Sequence, residues 1–379
     1  MAIFTSLGLI LITCIIIWRA CDGFEMASNY LGRNMKEGIK GATINAIGSS
    51  LPELFTTLFF LFVLKDKDGF SGGIGTTAGS AVFNAMIIPA VVILVVIGKK
   101  ITSQIEISKK VIYRDGIALI LAELALIFVI SGTSLNWTHG LILMALYFVY
   151  VGYMLLSQGP GEVENDYEEE ADGGNRAVAL FKGDLATLVL GDSKINKVKA
   201  IGLLIVSVLF IGLACFWLVE ACQEFGAATG MPIYFVSVVL ASAATSVPDT
   251  IMSYKDAMKG NYDDAVANAL GSNIFDVCFA LGFPLFLFTL IYGPIEMSPE
   301  TIENIGQLRV LLLILTIIVF FIFILSKKGI KGIHAKLLLL LYVLFVVYSV
   351  GKGLSYDIPF INEVSNGLSQ ISHWFTGLI

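Results

Sequence analysis

"GSNIFDVCF", residues 271–279, repeats "GSAVFNAMI", residues 79–87. The repetition is not isolated. "AATSVPDTIM" (243–252) repeats "IGSSLPELFT" (47–56), and "CFWLVEACQEF" (215–225) repeats "CIIIWRACDGF" (14–24), with both cysteines in register. The order is the same each time: a cysteine-pair segment, a Pro-acid segment, a Gly-Ser segment. Ordered self-similarity of this kind means that one structural unit occurs twice.

The composition says where that unit resides. Of 379 residues, 56% are hydrophobic and only 14% charged, and the mean hydropathy is +0.84. A soluble domain carries about 25% charged residues. A membrane span needs about 20 apolar residues. Ten segments qualify, at roughly 3–20, 38–64, 71–98, 112–131, 137–156, 200–222, 232–255, 263–292, 308–326 and 334–351. Five fall in each half. Because five is odd, the second half enters the membrane upside down relative to the first. The expected fold is an all-α polytopic membrane protein with about ten transmembrane helices in two inverted five-helix repeats. The first repeat is 1–156 and the second 200–351, joined by a loop at 157–199. The tail, 352–379, is too polar for an eleventh span, and Trp374 and Phe375 near its end suit an interfacial helix.

Lys and Arg set the orientation. With both termini outside, 20 of the 24 Lys and Arg fall in inside connections. Only Lys65, Lys67, Arg309 and Lys352 stay outside. The central loop is then cytoplasmic, and its acidic run "GEVENDYEEEADGG" reads as a solvated linker. Met1 opens almost directly into the first span, without a basic n-region or a small-residue cleavage site, so no removable signal peptide is expected. Cys14, Cys21, Cys215, Cys222 and Cys278 lie in or at the ends of spans and read as small membrane residues, not disulfides or a zinc site.

The polar residues inside the spans point to chemistry. Pro52 and Pro248 each interrupt an apolar run, and proline removes a backbone donor and frees a carbonyl. At membrane depth such a break is tolerated only in a cavity or within protein. Glu53 and Asp249 follow the prolines directly. Ser50 lies three residues before Glu53, and Ser246 three before Asp249, so each pair shares a helix face. Ser80 with Asn84, and Ser272 with Asp276, are spaced by four and share faces too. Gly79 and Gly271 permit close helix approach. Every candidate ligand is an oxygen, which suits Ca2+ and other hard cations. No Lys or Arg lies in these segments. An uncompensated carboxylate at the bilayer centre costs about 2.5–3.5 kcal/mol on the lowest scale. A cation, or a proton, should balance Glu53, Asp249 and Asp276. Ca2+ balances two charges. Asp276, whose repeat mate is Asn84, supplies the third, and a second cation or a proton answers it. Glu123 in the fourth span is expected to make a helix–helix hydrogen bond. Asp22, Glu25, Glu220 and Glu224 are expected at span ends facing water, and Asp263 and Asp264 in an exposed loop.

"GSSLPELFTT" with "GSAVFN", and "TSVPDT" with "GSNIFD", resemble the two signature repeats of the cation/Ca2+ exchanger superfamily. Within it the chain is most similar to the K+-dependent Na+/Ca2+ exchangers, on the Pro-Glu-Leu-Phe context, the Ser-Val-Pro-Asp-Thr context and Asp276. The resemblance is most specific over about 41–90 and 237–280. It implies that Glu53 and Asp249 are the main Ca2+ ligands and that Asp276 is tied to K+ use. It implies backbone oxygens from Ala46, Ser49, Ser242 and Thr245, and completion of the Na+ and Ca2+ sites by Ser50, Ser80, Asn84, Ser246 and Ser272. Asn273 matches a polar position beside the K+ site.

The implied function is a secondary antiporter that exchanges Na+ for Ca2+ with K+ co-transport, by alternating access, in the cell membrane. The alternatives are a K+-independent Na+/Ca2+ exchanger or a Ca2+/H+ antiporter with Asp276 protonated. A passive channel would carry flux that ignores the counter-ion. An intramembrane aspartyl protease is disfavoured by the repeated third acid and the lack of Gly-x-Gly-Asp. The chain is therefore expected not to be an enzyme. The expected partners are the lipid bilayer and small inorganic cations, with no nucleic acid and no resident cofactor.

Overall fold

The computed structural model describes residues 1–33, 46–65, 67–157, 176–191, 193–326 and 329–377. The acidic run 161–174 lies outside the described residues. The first half contains α1 (Ala2–Leu31), α2 (Ala46–Ser49), α3 (Leu51–Leu64), α4 (Lys67–Gly98), α5 (Lys109–Val129) and α6 (Trp137–Ser157). Two short linker helices follow, α7 (Arg176–Lys182) and α8 (Leu185–Leu190). The second half begins with α9 (Lys197–Thr229) and a broken helix made of α10 (Ile233–Val236), a π-helical turn at Ser237–Ala241, α11 (Ser242–Thr245) and α12 (Val247–Met258). Next come α13 (Tyr262–Phe275), a π-helical turn at Asp276–Ala280, α14 (Leu281–Tyr292), α15 (Pro299–Leu325) and α16 (Gly332–Gly353). The tail forms α17 (Pro359–Thr376).

Eight of these helical runs among the described residues are long and apolar enough to cross a membrane. The other two expected spans are recognisable but atypical. The second is the α2–α3 run, interrupted at Ser50. The fourth, α5, carries Arg114, Asp115 and Glu123. The first two of these neutralise each other, with Arg114 Nε 2.6 Å from Asp115 Oδ1.

The packing displays the inverted repeat. α1 lies along α9, its own repeat mate, and α5 along α15, likewise its mate. α4 packs on α16 as α14 packs on α6. The connections match too. Strand β1 (Ser134–Leu135) pairs antiparallel with β2 (Ile295–Glu296), joining the loops after α5 and α14. At the other end of the bundle, Ile105 and Ile330 form a bridge between the loops after α4 and α15. Each pairing is the image of the other under the approximate two-fold relation of the halves.

Three expectations require correction. First, α1 runs to Leu31, well past residue 20, and Asp22 and Glu25 do not simply face water: both accept from Lys255 Nζ, at 2.7 and 3.2 Å. Second, Asp263 and Asp264 form the first turn of α13, and Asp263 Oδ1 accepts from Ser108 N at 2.6 Å. Carboxylates at a helix N-terminus are favoured by the dipole. Third, Arg309, counted on the outer side at the start of the 308–326 segment, does not face water. It is buried in α15, 2% exposed, and its guanidinium donates to the carbonyls of Ile127, Ile130 and Ile305. The carbonyls of Ile127 and Ile130 belong to the C-terminus of α5, where a helix carries partial negative charge. That dipole supplies what a counter-carboxylate would. Glu220 and Glu224 are exposed on α9. The five cysteines are free.

The tail helix α17 is amphipathic. Ile361 and Leu368 are buried against the bundle, whereas Phe360, Ile371 and Trp374 are exposed. Gln307 on α15 ties it down, donating to Ser369 Oγ at 2.7 Å and accepting from Ser365 Oγ at 3.1 Å.

Candidate cation-binding site

The two proline breaks build the site. Ser50 stands at the N-cap position of α3, with Pro52 in the first turn, and Ser246 at that of α12, with Pro248 in the first turn; neither hydroxyl bonds back to its helix. Proline is tolerated in the first turn of a helix, where its fixed φ is preorganised and its missing N–H breaks only the link back to the preceding segment. Glu53 and Asp249 therefore sit in the first turns of half-helices whose N-termini favour negative charge. The missing Pro52 donor also frees the carbonyl of Gly48, which Cys21 Sγ approaches from α1 at 3.9 Å. Cys215 Sγ of α9 donates to Pro52 O at 3.6 Å, so α1 and α9 both cover the first break.

α4 and the α13 run cross between the breaks. Gly79 permits the approach: a Cβ there would lie 2.3 Å from Val238 O and 2.8 Å from Ser242 Cβ. Nothing lies so close to Gly271 among the described residues. Asn273 Nδ2 donates to Ala81 O at 2.9 Å, and Ala81 is its own repeat mate. That contact marks where the halves meet. Asn273 thus acts first as a clamp between α4 and α13.

Ser80, Asn84, Ser272 and Asp276 project from this crossing onto the two acids. Asn84 Nδ2 donates to Asp249 Oδ2 at 3.1 Å, and Ser272 Oγ donates to Asp249 Oδ1 at 2.8 Å. Ser49 Oγ lies 3.5 Å from Ser272 Oγ. Ser80 Oγ is the hub of the other side. It lies 3.1 Å from Glu53 Oε1, 2.9 Å from Asp276 Oδ2 and 2.8 Å from Ser246 Oγ. Asn84 Nδ2 also reaches it, at 3.3 Å. Thr245 approaches Glu53, and Ser50 approaches Asp276. Ala46, Ser49, Ser50, Glu53, Ser80, Asn84, Ser242, Thr245, Ser246, Asp249, Ser272, Asn273 and Asp276 are each at most 1% exposed, so the site is occluded.

The carbonyls of Ala46 and Ser242 are already engaged. Ala46 O accepts from Ser50 N at 3.2 Å, and Ser242 O from Ser246 N at 3.0 Å. Each also accepts a side-chain hydroxyl, Ala46 O from Ser49 Oγ at 3.4 Å and Ser242 O from Thr245 Oγ1 at 3.1 Å. Gly48 O, freed by Pro52, is the less committed oxygen at the first break.

The two sides of the site are not equivalent. The repeat image of the Asn84–Asp249 hydrogen bond is the Asp276–Glu53 pair. Asn84 can donate to an acid; an ionised Asp276 cannot. Both Asp249 oxygens are satisfied. On the other side Glu53 Oε2, Asp276 Oδ1 and Ser50 Oγ are buried with no hydrogen-bond partner, as is Asn84 Oδ1. Unpaired buried polar atoms are rare and call for an explanation. None of the ion pairs among the described residues involves Glu53, Asp249 or Asp276. Nor do any three His, Cys, Asp or Glu among them converge closely enough to chelate an ion unaided. Hydroxyl and amide oxygens must complete any coordination sphere. Two larger cavities, of about 470 and 490 Å³, open towards opposite ends of the bundle, and neither is lined by a site residue.

Sequence reasoning missed the π-helical turns at Ser237–Ala241 and Asp276–Ala280. The second begins at Asp276 itself and is followed by Pro284, whose missing N–H leaves Ala280 O unpaired in an α-helical pattern. π-turns favour functional sites. Glu123 is not part of the constellation. Thr316 Oγ1 of α15 donates to its Oε1 at 2.7 Å, a helix–helix bond.

Comparison with known proteins points the same way. The family model described as "Sodium/calcium exchanger protein" matches residues 5–156 and 199–351. An uncharacterized membrane protein of Methanocaldococcus jannaschii is 24% identical over 302 residues, 79% of this chain and 88% of that protein. The human sodium/potassium/calcium exchanger 3 is 35% identical over 121 residues, 32% of this chain but only 17% of the human protein. The structure of the H+/Ca2+ exchanger CAX superposes with a TM-score of 0.64 at 11% identity, covering 99% of this chain and 92% of CAX. The sodium-calcium exchanger NCX_Mj gives a TM-score of 0.57 at 21% identity, covering 91% and 98%.

Proposed function

The chain belongs to the sodium/calcium exchanger family, a family of transporters and not of enzymes, and from that premise we propose that it exchanges Na+ for Ca2+ with co-transport of K+. The observation that carries the reading is the asymmetry of the site. Glu53 and Asp276 face one Ser80 hydroxyl, which has a single hydrogen to give. Each keeps one buried oxygen without a partner. The pair is matched to a charge from outside the protein. Glu53 and Asp249 would bind Ca2+, aided by Ser50, Ser80, Asn84, Ser246 and Ser272 and by backbone oxygens around Ala46, Ser49, Ser242 and Thr245. Asp276, with Asn273 nearby, would hold K+. The local similarity to sodium/potassium/calcium exchangers supports K+ as that second cation.

Exchange follows from competition. Na+ and the Ca2+–K+ pair need the same carboxylates, so one cargo leaves before the other binds. α1, which reaches both proline breaks, and α9, which lies along α1 and covers the first break, would slide against the core and expose the site to one side at a time. The Lys and Arg bias would put the linker in the cytoplasm and both termini outside.

A second reading rests on the same atoms. A proton on Asp276 would let it donate to Glu53, as Asn84 donates to Asp249, and would give Na+/Ca2+ or Ca2+/H+ exchange without K+. Ca2+ uptake into Na+-loaded proteoliposomes separates the two, with external K+ present or replaced by choline at fixed pH. The proposal expects uptake only with internal Na+ and external K+. Na+-dependent uptake that ignores K+ leaves Asp276 to the proton, and Ca2+ flux without any counter-ion contradicts exchange altogether.

A further inference from the structure

The two halves hold their outlying helices against the core by different chemistry. α12 carries Asp249 in its first turn and Lys255 less than two turns later. Lys255 Nζ donates to Asp22 Oδ1 at 2.7 Å and Glu25 Oε2 at 3.2 Å, both on α1. The adjacent Tyr254 turns the other way, and its hydroxyl accepts from Lys99 Nζ beyond α4 at 3.1 Å. The linker-side end of α12 is thus tied to the core through Tyr254 and to α1 through Lys255.

The repeat supplies the control. As Asp249 corresponds to Glu53, Lys255 corresponds to Phe59 on α3; Asp22 corresponds to Gln223 and Glu25 to Gly226 on α9. At that opposite end Phe59 meets Phe216 of α9 edge to face, with ring centroids 5.6 Å apart. One end of the bundle joins core to outlying helix by charge, the other by aromatic contact.

We propose that Lys255 with Asp22 and Glu25 is an electrostatic latch that closes the linker-side gate, while the opposite gate is held by the Phe59–Phe216 contact. The inference rests on the alternating-access reading above. α1 cannot slide past α12 without parting Lys255 from both acids. The three side chains are 41%, 30% and 23% exposed, so salt reaches and weakens the latch. Aromatic packing has no such dependence. Arg19 Nη1, 3.9 Å from Asp22 Oδ2, keeps a partner for that acid once Lys255 departs. Ionic strength therefore biases opening towards one side only. Because Lys255 and Asp249 share a helix, the latch sits one short rigid segment from the cation site.

Hydrogen exchange on the full-length protein tests this. In Lys255→Met, backbone amides of residues 20–31 should exchange up to about fivefold faster, the upper end of the range for a partly exposed ion pair. Raising salt to about 0.5 M should do the same in the unmodified protein. Residues 215–229 should not respond to either change. The swapped variant Lys255→Glu/Glu25→Lys should restore slow exchange. Unchanged exchange in both Lys255→Met and high salt would overturn the latch, as would a swapped variant no slower than Lys255→Met. If Lys255→Met does not fold, the salt titration of the unmodified protein decides. Exchange rates assume nothing about the transported ions. If they respond while Na+-driven uptake fails, the ion pair is a conformational contact and the exchange reading alone falls.

Discussion

Glu53 and Asp249 hold related positions in the two repeats, yet the protein satisfies them differently. Asp249 receives Asn84 and Ser272; Glu53 shares one hydroxyl with Asp276. Both are first-turn residues of a half-helix, and neither has a cationic side chain beside it. Glu53→Gln or Asp249→Asn should therefore abolish Ca2+ uptake into Na+-loaded proteoliposomes while leaving the fold intact, since the amide keeps the shape and removes the charge. Uptake at even a tenth of the normal rate in either variant would remove that residue from the ligand set. Both acids were legible in the sequence because proline beside an acid in an apolar run has one physical meaning. The unequal pairing was only partly legible. The Asn84/Asp276 difference was visible, but the shared Ser80 hydroxyl depends on how two distant helices cross.

At the scale of elements, the site depends on α4 lying almost in contact with the backbone of the second broken helix. Gly79→Ala puts a Cβ where Val238 O and Ser242 stand, and neither is a flexible side-chain end. The helices must part, at a cost of about 1–3 kcal/mol for overpacking. A lowered melting temperature and lost uptake are the expected outcome; a variant with normal stability and transport would contradict the packing. Arg309 belongs to the same scale. Arg309→Leu leaves the carbonyls of Ile127 and Ile130 at the end of α5 without a donor, and should cost about 2 kcal/mol. Thermal unfolding in detergent measures it, and an unchanged melting point would mean those carbonyls find other partners. The Lys and Arg count leaves Arg309 on the outer side, at the start of the 308–326 segment, because it scores the charge and not the helix terminus that accepts it. For the same reason α1 was read too short: Lys255 meets Asp22 and Glu25 across more than half the chain. The π-turn at Asp276 leaves little trace in residue pattern beyond the later Pro284.

For the whole molecule, inversion follows from arithmetic, five spans per half, and the paired loops make it visible: β1 with β2 at one end, Ile105 with Ile330 at the other. Orientation is a separate matter, set by Lys and Arg. A cysteine at Tyr356 should react with an impermeant maleimide on intact cells, and one at Lys194 only after permeabilisation. The reverse pattern would invert the proposed topology and place the Lys255 latch at the outer gate. Within that frame the central claim is that the third carboxylate makes one side of an otherwise symmetric site require an additional cation. The most direct measurement is Na+-driven Ca2+ uptake by Asp276→Asn with and without external K+. Asn at 276 can donate to Glu53 as Asn84 donates to Asp249, so uptake should persist and its K+ stimulation should vanish. K+ stimulation equal to that of the unmodified protein would contradict the account.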